Sequence, residues 1–534
     1  MSMKAKKVLA MLMASAMIMG TSVTAFGSNK TYTDAARVMN LESDNLTVTA
    51  YQIIKYNEAG YYEEVEGIKG EITTNDETAD GRDILDPTSE DIEKLAGAKY
   101  LSKLTTSVTF TADKTTDTVG DYKYENLAPG AWMIIVTGSD QYLYNPAIIS
   151  VNVTSDGTKY GELNYETDTW EPVAYPKRSE PKITKTAEKA KEDDTEIVGV
   201  QYNDVLKFTL EADIPDYSAD VTGVEQYIIK DTLDGLSLVQ STEYPVTVAM
   251  SDGTAIDTTV ESIIKNAISD NAVEFSADLS EQDEFLLQNG GKKIVITYYA
   301  KVTSTEKINV DELNNTAELS YSTRGGVAKK EATTKHYTFG FDTGFSGTVT
   351  TENKTGEFIK IDESGNVTYK EYGSGEVVAT EPLEEAVFEL RINAPDGEVF
   401  GTYTTDESGR LEINGLDSDV TYYLVEKKAP SGYTVNTTPV KVKINATYKE
   451  GILTGYDVVF NDDEAITHYK YKEGQTTIVN NEDTASNPFG FKNTTLTNLP
   501  STGGIGTTIF TIGGCAIMVT AAGLYFATRK KTEK

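Results

Sequence analysis

Cysteine and histidine are almost missing from this 534-residue chain. The one cysteine, Cys515, sits inside an apolar run near the C-terminus, so the rest of the chain cannot hold a single internal disulfide. Two histidines, His336 and His468, and the lack of any HExxH or CxxC spacing leave a zinc site or a histidine triad without its parts. Positive charge is scarce too: Lys and Arg number 48 against 83 Asp and Glu, a formal net charge of -35. Phosphate binding needs clustered Lys and Arg, so a nucleic-acid partner is excluded, and the acidity itself suits a soluble, exposed surface protein. No cofactor and no metal are expected.

What the chain does have begins at its two ends. The start, "MSMKAKKVLAMLMASAMIMGTSVTAFGS", places Lys4, Lys6 and Lys7 before an apolar core from Val8 to Gly20, followed by small residues near Ala25. That pattern predicts a secretory signal peptide over 1–25. At the other end, 505–527 carries no charge and is followed by Arg529, Lys530 and Lys531. Its length fits the roughly 20 residues of a membrane-spanning helix, with the basic tail held in the cytoplasm. The bulk of the chain is therefore expected outside the cell.

Between the ends, a prior of about 150 residues per domain suggests about three domains. Short apolar alternations such as "LTVTAYQII", "VLKFTLEA", "KKIVITYYAKV" and "TYYLVEKKAPSGY" read as half-buried strands of antiparallel sandwiches. The fold class is thus all-β, as tandem immunoglobulin-like β-sandwich domains. "DPTSEDIEKLAGAKYLSKL" is a helical exception, with Thr88 or Ser89 as cap and Ile92, Leu95 and Leu101 on one face, and "SIIKNAIS" is a second short helix. Pro172, Pro176 and Pro181 mark one boundary and the Gly/Thr-rich text after Gly340 another, giving modules over 26–178, 179–345 and 346–498 and a terminal segment over 499–534.

The terminal segment opens with Leu499-Pro500-Ser501-Thr502-Gly503, which matches the LPxTG sorting signal. With the signal peptide, the apolar helix and the basic tail, the chain resembles a Gram-positive major pilin, the backbone subunit of a sortase-assembled pilus. The resemblance implies that a sortase cysteine cuts between Thr502 and Gly503 and holds the Thr502 carbonyl as a thioester, an acyl transfer in which the chain is substrate and not enzyme. It also supplies the acceptor: "VAYPK" resembles the pilin motif, whose lysine, here Lys177, joins the Thr502 carbonyl of the next subunit. The flank around Trp170 departs from the longer form of that motif, and the ordinary reading of Lys177 is a charged linker residue. Implied partners are a sortase, identical subunits joined head to tail, and peptidoglycan or its precursor. The location is extracellular and wall-anchored, with the precursor held in the membrane; minor pilins and a host ligand stay open. The alternative is a monomeric wall-anchored surface adhesin, which would not need Lys177.

The third module resembles the collagen-adhesin B-type (SpaA-like) domains, through "YYLVEKKAPSGY", "GEFIKID" and "FGFKNTT". That family forms an intramolecular bond between lysine and asparagine side chains, assisted by an acid, which implies Lys360 as nucleophile, Glu426 as acid and Asn493 as electrophile. Strand parity agrees, since Lys360 shares a face with Phe358, Glu426 with Tyr422 and Leu424, and Asn493 with Phe489 and Phe491. Asn480 or Asn481 is an alternative partner, and a salt bridge with a turn asparagine is the ordinary reading. The second module resembles the pilin middle domain that forms the same bond. There the implied set is Lys185, Asp231 and Asn315, facing inward with Ile183, with Tyr227 and Ile229, and with Leu313, Ala317 and Leu319. Related domains draw their acid from different strands, so Asp231 is the most context-dependent of the three; its ordinary reading is a turn cap. The first module, with "AYQIIKY" and "YENLAPGAWMIIV", resembles the pilin N-terminal domain and offers no such set.

Overall fold

The computed structural model describes residues 31–32, 35–77, 83–115, 118–153, 158–164, 169–190, 198–217, 226–304, 310–342, 357–369, 377–463, 467–471, 478–480, 489–495 and 506–529. The expected signal peptide and Leu499–Gly503 lie outside the described residues. By compactness the chain divides into two units, one of 1–197, 204–303 and 314–334, the other of 198–203, 304–313 and 335–534.

The first unit begins with a nine-stranded sheet whose order runs Lys159–Tyr160, Ala147–Val153, Gly130–Thr137, Thr47–Tyr56, Ser107–Ala112, Tyr122–Glu125, Ala35–Val38 and Val173–Ala174, with Tyr62–Glu64 alongside Thr47–Tyr56. Its central strand Gly130–Thr137 is buried on both faces, which explains the unbroken apolar run "AWMIIV". Val48, Ala50, Trp132, Ile134 and Val136 pack into one core. Ile53, Met133 and Ile135 pack into another with Ile92 and Leu95. A bulge between Gln52 and Ile54 lets Ile53 and Ile54 both be buried.

The expected helix over "DPTSEDIEKLAGAKYLSKL" is two helices, Ser89–Leu95 and Ala98–Leu101, broken at Gly97, which takes an extended conformation as the cap of the second. Leu101 is accordingly only half-buried. Thr88, and not Ser89, caps the first helix: its hydroxyl accepts from Asp91 N–H while the Asp91 carboxylate accepts from Thr88 N–H. The second expected helix is Thr258–Ala267, capped by Asp257.

The rest of this unit is built on two sheets. One has the order Ile183–Lys189, Val205–Asp213, Lys293–Val302, Leu236–Val239, with Thr247–Met250 also on Lys293–Val302. The other carries Glu274–Asp278, Tyr227–Leu233, Val310–Thr323 and Gly326–Phe341 in that order. Strict alternation in Val205–Asp213, Tyr227–Leu233 and Lys293–Val302 sends Phe208, Leu210, Tyr298, Ile229 and Asp231 to the interior.

In the second unit a seven-stranded sheet runs Val399–Thr404, Val387–Ile392, Thr421–Lys428, Val440–Lys449, Ile452–Phe460, Thr467–Tyr471, Ile478–Asn480. Phe358–Asp362 and Phe489–Asn493 form a separate parallel pair. Phe339, Phe341, Phe358, Phe388, Phe460 and Phe491 meet in its core. The chain then reaches the helix Gly506–Arg529. Among the described residues no helix is long and apolar enough to cross a membrane. The expected membrane span over 505–527 lies partly outside the residues whose side chains are described, 511–526.

Loss of one capping-box member has a defined size. Thr88→Ala is expected to lower the stability of the first unit by about 1 kcal/mol in denaturant melts, and Thr88→Ser to restore most of it.

Candidate functional site

Lys185, Asp231 and Asn315 come from three strands and both sheets of their sandwich. Lys185 lies on Ile183–Lys189, paired opposite Leu210. Asp231 and Asn315 lie on the facing sheet, in register with Ala317 and Leu233 respectively. The side chains of Lys185 and Asp231 are 0% exposed, and their ammonium and carboxylate are in direct contact. Asn315 is equally buried; its Nδ2 donates to the Tyr298 hydroxyl at 3.0 Å, and that hydroxyl donates to the second oxygen of Asp231. Asn315 Oδ1 is buried and has no hydrogen-bond donor among the described residues.

Aromatic rings enclose the cluster. Lys185 Nζ lies 5.3 Å from the Phe208 ring centre and 5.9 Å from that of Tyr298, and Phe275 meets Tyr298 edge-on at 5.4 Å. Burial pulls the Lys185 ammonium down to about 8, against the opposing pull of Asp231. Burial likewise pushes the Asp231 carboxyl up, with Lys185, Tyr298 and Asn315 acting against the shift. Both shifts move the pair toward a neutral amine beside a neutral acid.

Lys360, Glu426 and Asn493 form the corresponding cluster in the second unit, at 0%, 3% and 1% exposure. Phe358–Asp362 lies parallel to Phe489–Asn493 with Lys360 opposite Phe491 and Asp362 opposite Asn493, so Lys360 and Asn493 are diagonal neighbours. Asn493 Nδ2 donates directly to both Glu426 oxygens, at 2.9 and 3.2 Å, and Asn493 Oδ1 is again buried without a donor among the described residues. Lys360 Nζ donates to the Phe491 carbonyl at 3.3 Å and lies 5.2 Å from the Phe491 ring centre. The contact is not the simple salt bridge of the ordinary reading. Burial lowers Lys360 to about 8 and raises Glu426, whose second oxygen also accepts from Asn436 N–H at 2.6 Å.

The Lys360 strand is fixed from several sides. Lys360 N–H donates to Gly409 O at 2.6 Å and its carbonyl accepts from Leu383 N–H at 2.9 Å. Gly409 has φ +74, and a Cβ there would lie 2.3 Å from Lys360 O, so both the turn and the close approach require glycine. At the strand entrance Asp342 accepts from Glu357 N–H, Phe358 N–H and Leu411 N–H, while Glu357 accepts from Asp342 N–H. Burial, then the neighbouring Glu357, pushes the Asp342 carboxyl far up.

Lys177 stands apart, exposed on the surface of the first unit. Its backbone is held on both flanks. Val173–Ala174 pairs with Arg37–Val38, and Arg178–Ser179 pairs with Leu143–Tyr144. Pro176 is buried, Asn145 N–H donates to Lys177 O at 2.8 Å, and the Arg178 guanidinium lies 4.4 Å from the Tyr142 ring centre. Thr502 lies outside the described residues, as does Asn481; Asn480 ends the strand Ile478–Asn480. Tyr298 and the Asp342–Glu357 clasp are polar neighbours of the clusters that the motifs do not name. Parity could have flagged Tyr298, which alternates inward with Ile294 and Ile296.

Comparison with known proteins adds a second line of observation. A family described as "Prealbumin-like fold domain" matches residues 365–457, and one described as "LPXTG cell wall anchor motif" matches residues 492–534. The trypsin-resistant surface T6 protein of Streptococcus pyogenes serotype M6 is 24% identical, over 94% of this chain and 96% of its own length. The solved T6 backbone pilin of that serotype, described as a modular three-domain structure, covers 88% of this chain and 100% of its own, at 18% identity and a TM-score of 0.52. The major pilin SpaA of Corynebacterium diphtheriae aligns over 86% of this chain and 100% of its own, at 15% identity and a TM-score of 0.41.

A lysine lowered to about 8 dictates a pH signature wherever it stays unreacted. Between about 8 and the ordinary value of 10.5 the unfolded chain binds more protons than the folded one, so stability rises with pH across that window. An Asn315→Ala chain should therefore gain stability from pH 8 to 10 relative to Lys185→Met/Asn315→Ala, measured by chemical denaturation. Parallel curves for the two variants would contradict a buried, shifted Lys185.

Proposed function

We propose, for a chain that belongs with the Gram-positive sortase-assembled major pilins, how its subunits are joined and how each is braced. The chain is a structural subunit of a pilus, extracellular and anchored to the cell wall. In the joining step a sortase thiolate attacks the Thr502 carbonyl and releases Gly503 onward. The Lys177 amine of another copy then displaces the thiol, leaving a Thr502–Lys177 amide. The apolar span over 505–527 holds the precursor at the membrane until that cut, and peptidoglycan or its precursor is the final acceptor. The modules are bounded near 178 and 345.

One observation carries the joining role of Lys177: its side chain is exposed while its backbone is clamped by strands on both flanks. A charged linker residue would need no such clamp. A nucleophile presented to another protein's thioester does, because orientation removes much of the entropic barrier.

The bracing step uses the two buried clusters. Proton transfer from lysine to acid leaves a neutral amine beside a neutral carboxyl. In the second unit a half-turn of the Asn493 amide then turns its Oδ1, which has no donor among the described residues, toward the proton of Glu426, polarising the carbonyl for attack. The amine displaces ammonia, forming Lys185–Asn315 and Lys360–Asn493 amides. Loops of roughly 130 residues closed this way would be stabilised by about 5 kcal/mol each in the chain-entropy account.

Joining is read directly on denaturing gels of cell-wall extracts. Lys177→Ala is expected to abolish the high-mass ladder and leave monomer, with export unchanged. A ladder that survives the substitution would contradict Lys177 as acceptor and favour another lysine.

A further inference from the structure

The two clusters differ in how the acid reaches the asparagine. Glu426 touches the Asn493 amide directly, at 2.9 and 3.2 Å. At Asp231 the Tyr298 hydroxyl joins in: besides the Asn315 side chain acting on Asp231, that hydroxyl bridges the two, donating to Asp231 and accepting from Asn315 Nδ2 at 3.0 Å. Asp231 is one methylene shorter than a glutamate, and the phenol hydroxyl supplies a second, 3.0 Å path to the Asn315 nitrogen. Tyr298 is wholly buried, its ring stacked on Phe208 and edge-on to Phe275, so the hydroxyl has little freedom to point elsewhere. Burial and the adjoining Asp231 push its own ionisation far up, so it stays protonated and acts as a conduit, not as a phenolate base.

We propose that Tyr298 is a catalytic residue of the middle-domain amide-forming reaction, relaying a proton from Asp231 to the departing nitrogen of Asn315. The proposal rests on the reading above that Lys185 and Asn315 react. The Lys185 ammonium first gives a proton to Asp231, and the neutral amine attacks Asn315 Cγ. In the resting amide the Nδ2 lone pair is delocalised and cannot accept a proton. In the tetrahedral intermediate Nδ2 becomes an amine and can. The hydrogen-bond chain then reverses: Asp231 O–H donates to the Tyr298 oxygen as Tyr298 O–H passes its proton to Nδ2. The Cγ–Nδ2 bond breaks, ammonia leaves, and the Lys185 nitrogen gives a second proton back to Asp231. Of the three protons on the original ammonium, one stays on the new amide nitrogen, one leaves in ammonia and one remains on Asp231. No oxidant or outside reactant is needed. Because the relay operates only after attack, its gain falls on the transition state and not on the folded ground state.

The test is a pulse-chase of the full chain exported from a host lacking sortases, with peptide mapping of both crosslinks. Tyr298→Phe keeps the ring and removes only the hydroxyl. Its Lys185–Asn315 crosslink is expected to form about a hundredfold more slowly, while Lys360–Asn493 in the same molecules completes at the wild-type rate. A Lys185–Asn315 crosslink that forms in Tyr298→Phe at its wild-type rate would overturn the relay. If wild type forms the second crosslink but Tyr298→Phe fails to fold, site-specific fluorotyrosine at 298 decides: it keeps the hydroxyl and changes its acidity, so an altered Lys185–Asn315 rate upholds the relay and an unaltered one overturns it. Absence of the Lys185–Asn315 crosslink from wild type would instead remove the underlying reading, a result distinct from either outcome for Tyr298.

Discussion

A lysine ammonium walled into an aromatic core beside a buried carboxyl group is the constraint on which both clusters depend. An isolated charge in such a place costs far more than a fold can spare, and a buried ion pair is often no better than an apolar pair. The two groups therefore approach neutrality, Lys185 and Lys360 both falling to about 8 while Asp231 and Glu426 rise. The interior that makes these charges costly is the same interior that makes the amine nucleophilic. Both asparagines meet it with an Oδ1 that has no donor among the described residues, so each cluster is short of polar bonding as well as poor in charge compensation.

The surrounding fold holds these groups by two different means. In the first unit the cluster spans facing sheets, with Lys185 and Tyr298 on one and Asp231 and Asn315 on the other. In the second unit Lys360 and Asn493 lie on neighbouring parallel strands, and Glu426 reaches them from the seven-stranded sheet. Lys360 is further fixed through Gly409, Leu383 and the Asp342–Glu357 clasp. A crosslink at either place would tie strands far apart in sequence, which suits a chain whose described residues include one cysteine and no disulfide. A load along such a chain would meet covalent bonds where an uncrosslinked sandwich offers only hydrogen bonds and packing.

Much of this was legible in the sequence because strands write burial with a period of two. Lys185, Asp231, Asn315, Glu426 and Asn493 could each be assigned to an inward face from neighbours two and four positions away. Parity said less for Lys360, since Phe358, Ile359, Lys360 and Ile361 are all buried and the strand has no solvent face. Tyr298 went unnamed because a tyrosine in an apolar strand looks like packing until its hydroxyl is seen between two polar groups. Asp342 and Glu357 are likewise silent in sequence, as backbone acceptors carry no motif. The break at Gly97 was hidden by good helix formers on either side, where one extended glycine outweighs the local propensity.

If these buried lysines end as amides, the intact mass of the denatured full chain, exported and signal-processed in a host without sortases, must show it. Each bond formed expels one ammonia, so the expected mass lies about 34 Da below that of the unreacted processed chain, about 17 Da for each of two bonds. A mass equal to that of the unreacted chain would contradict it and leave both clusters as buried polar contacts.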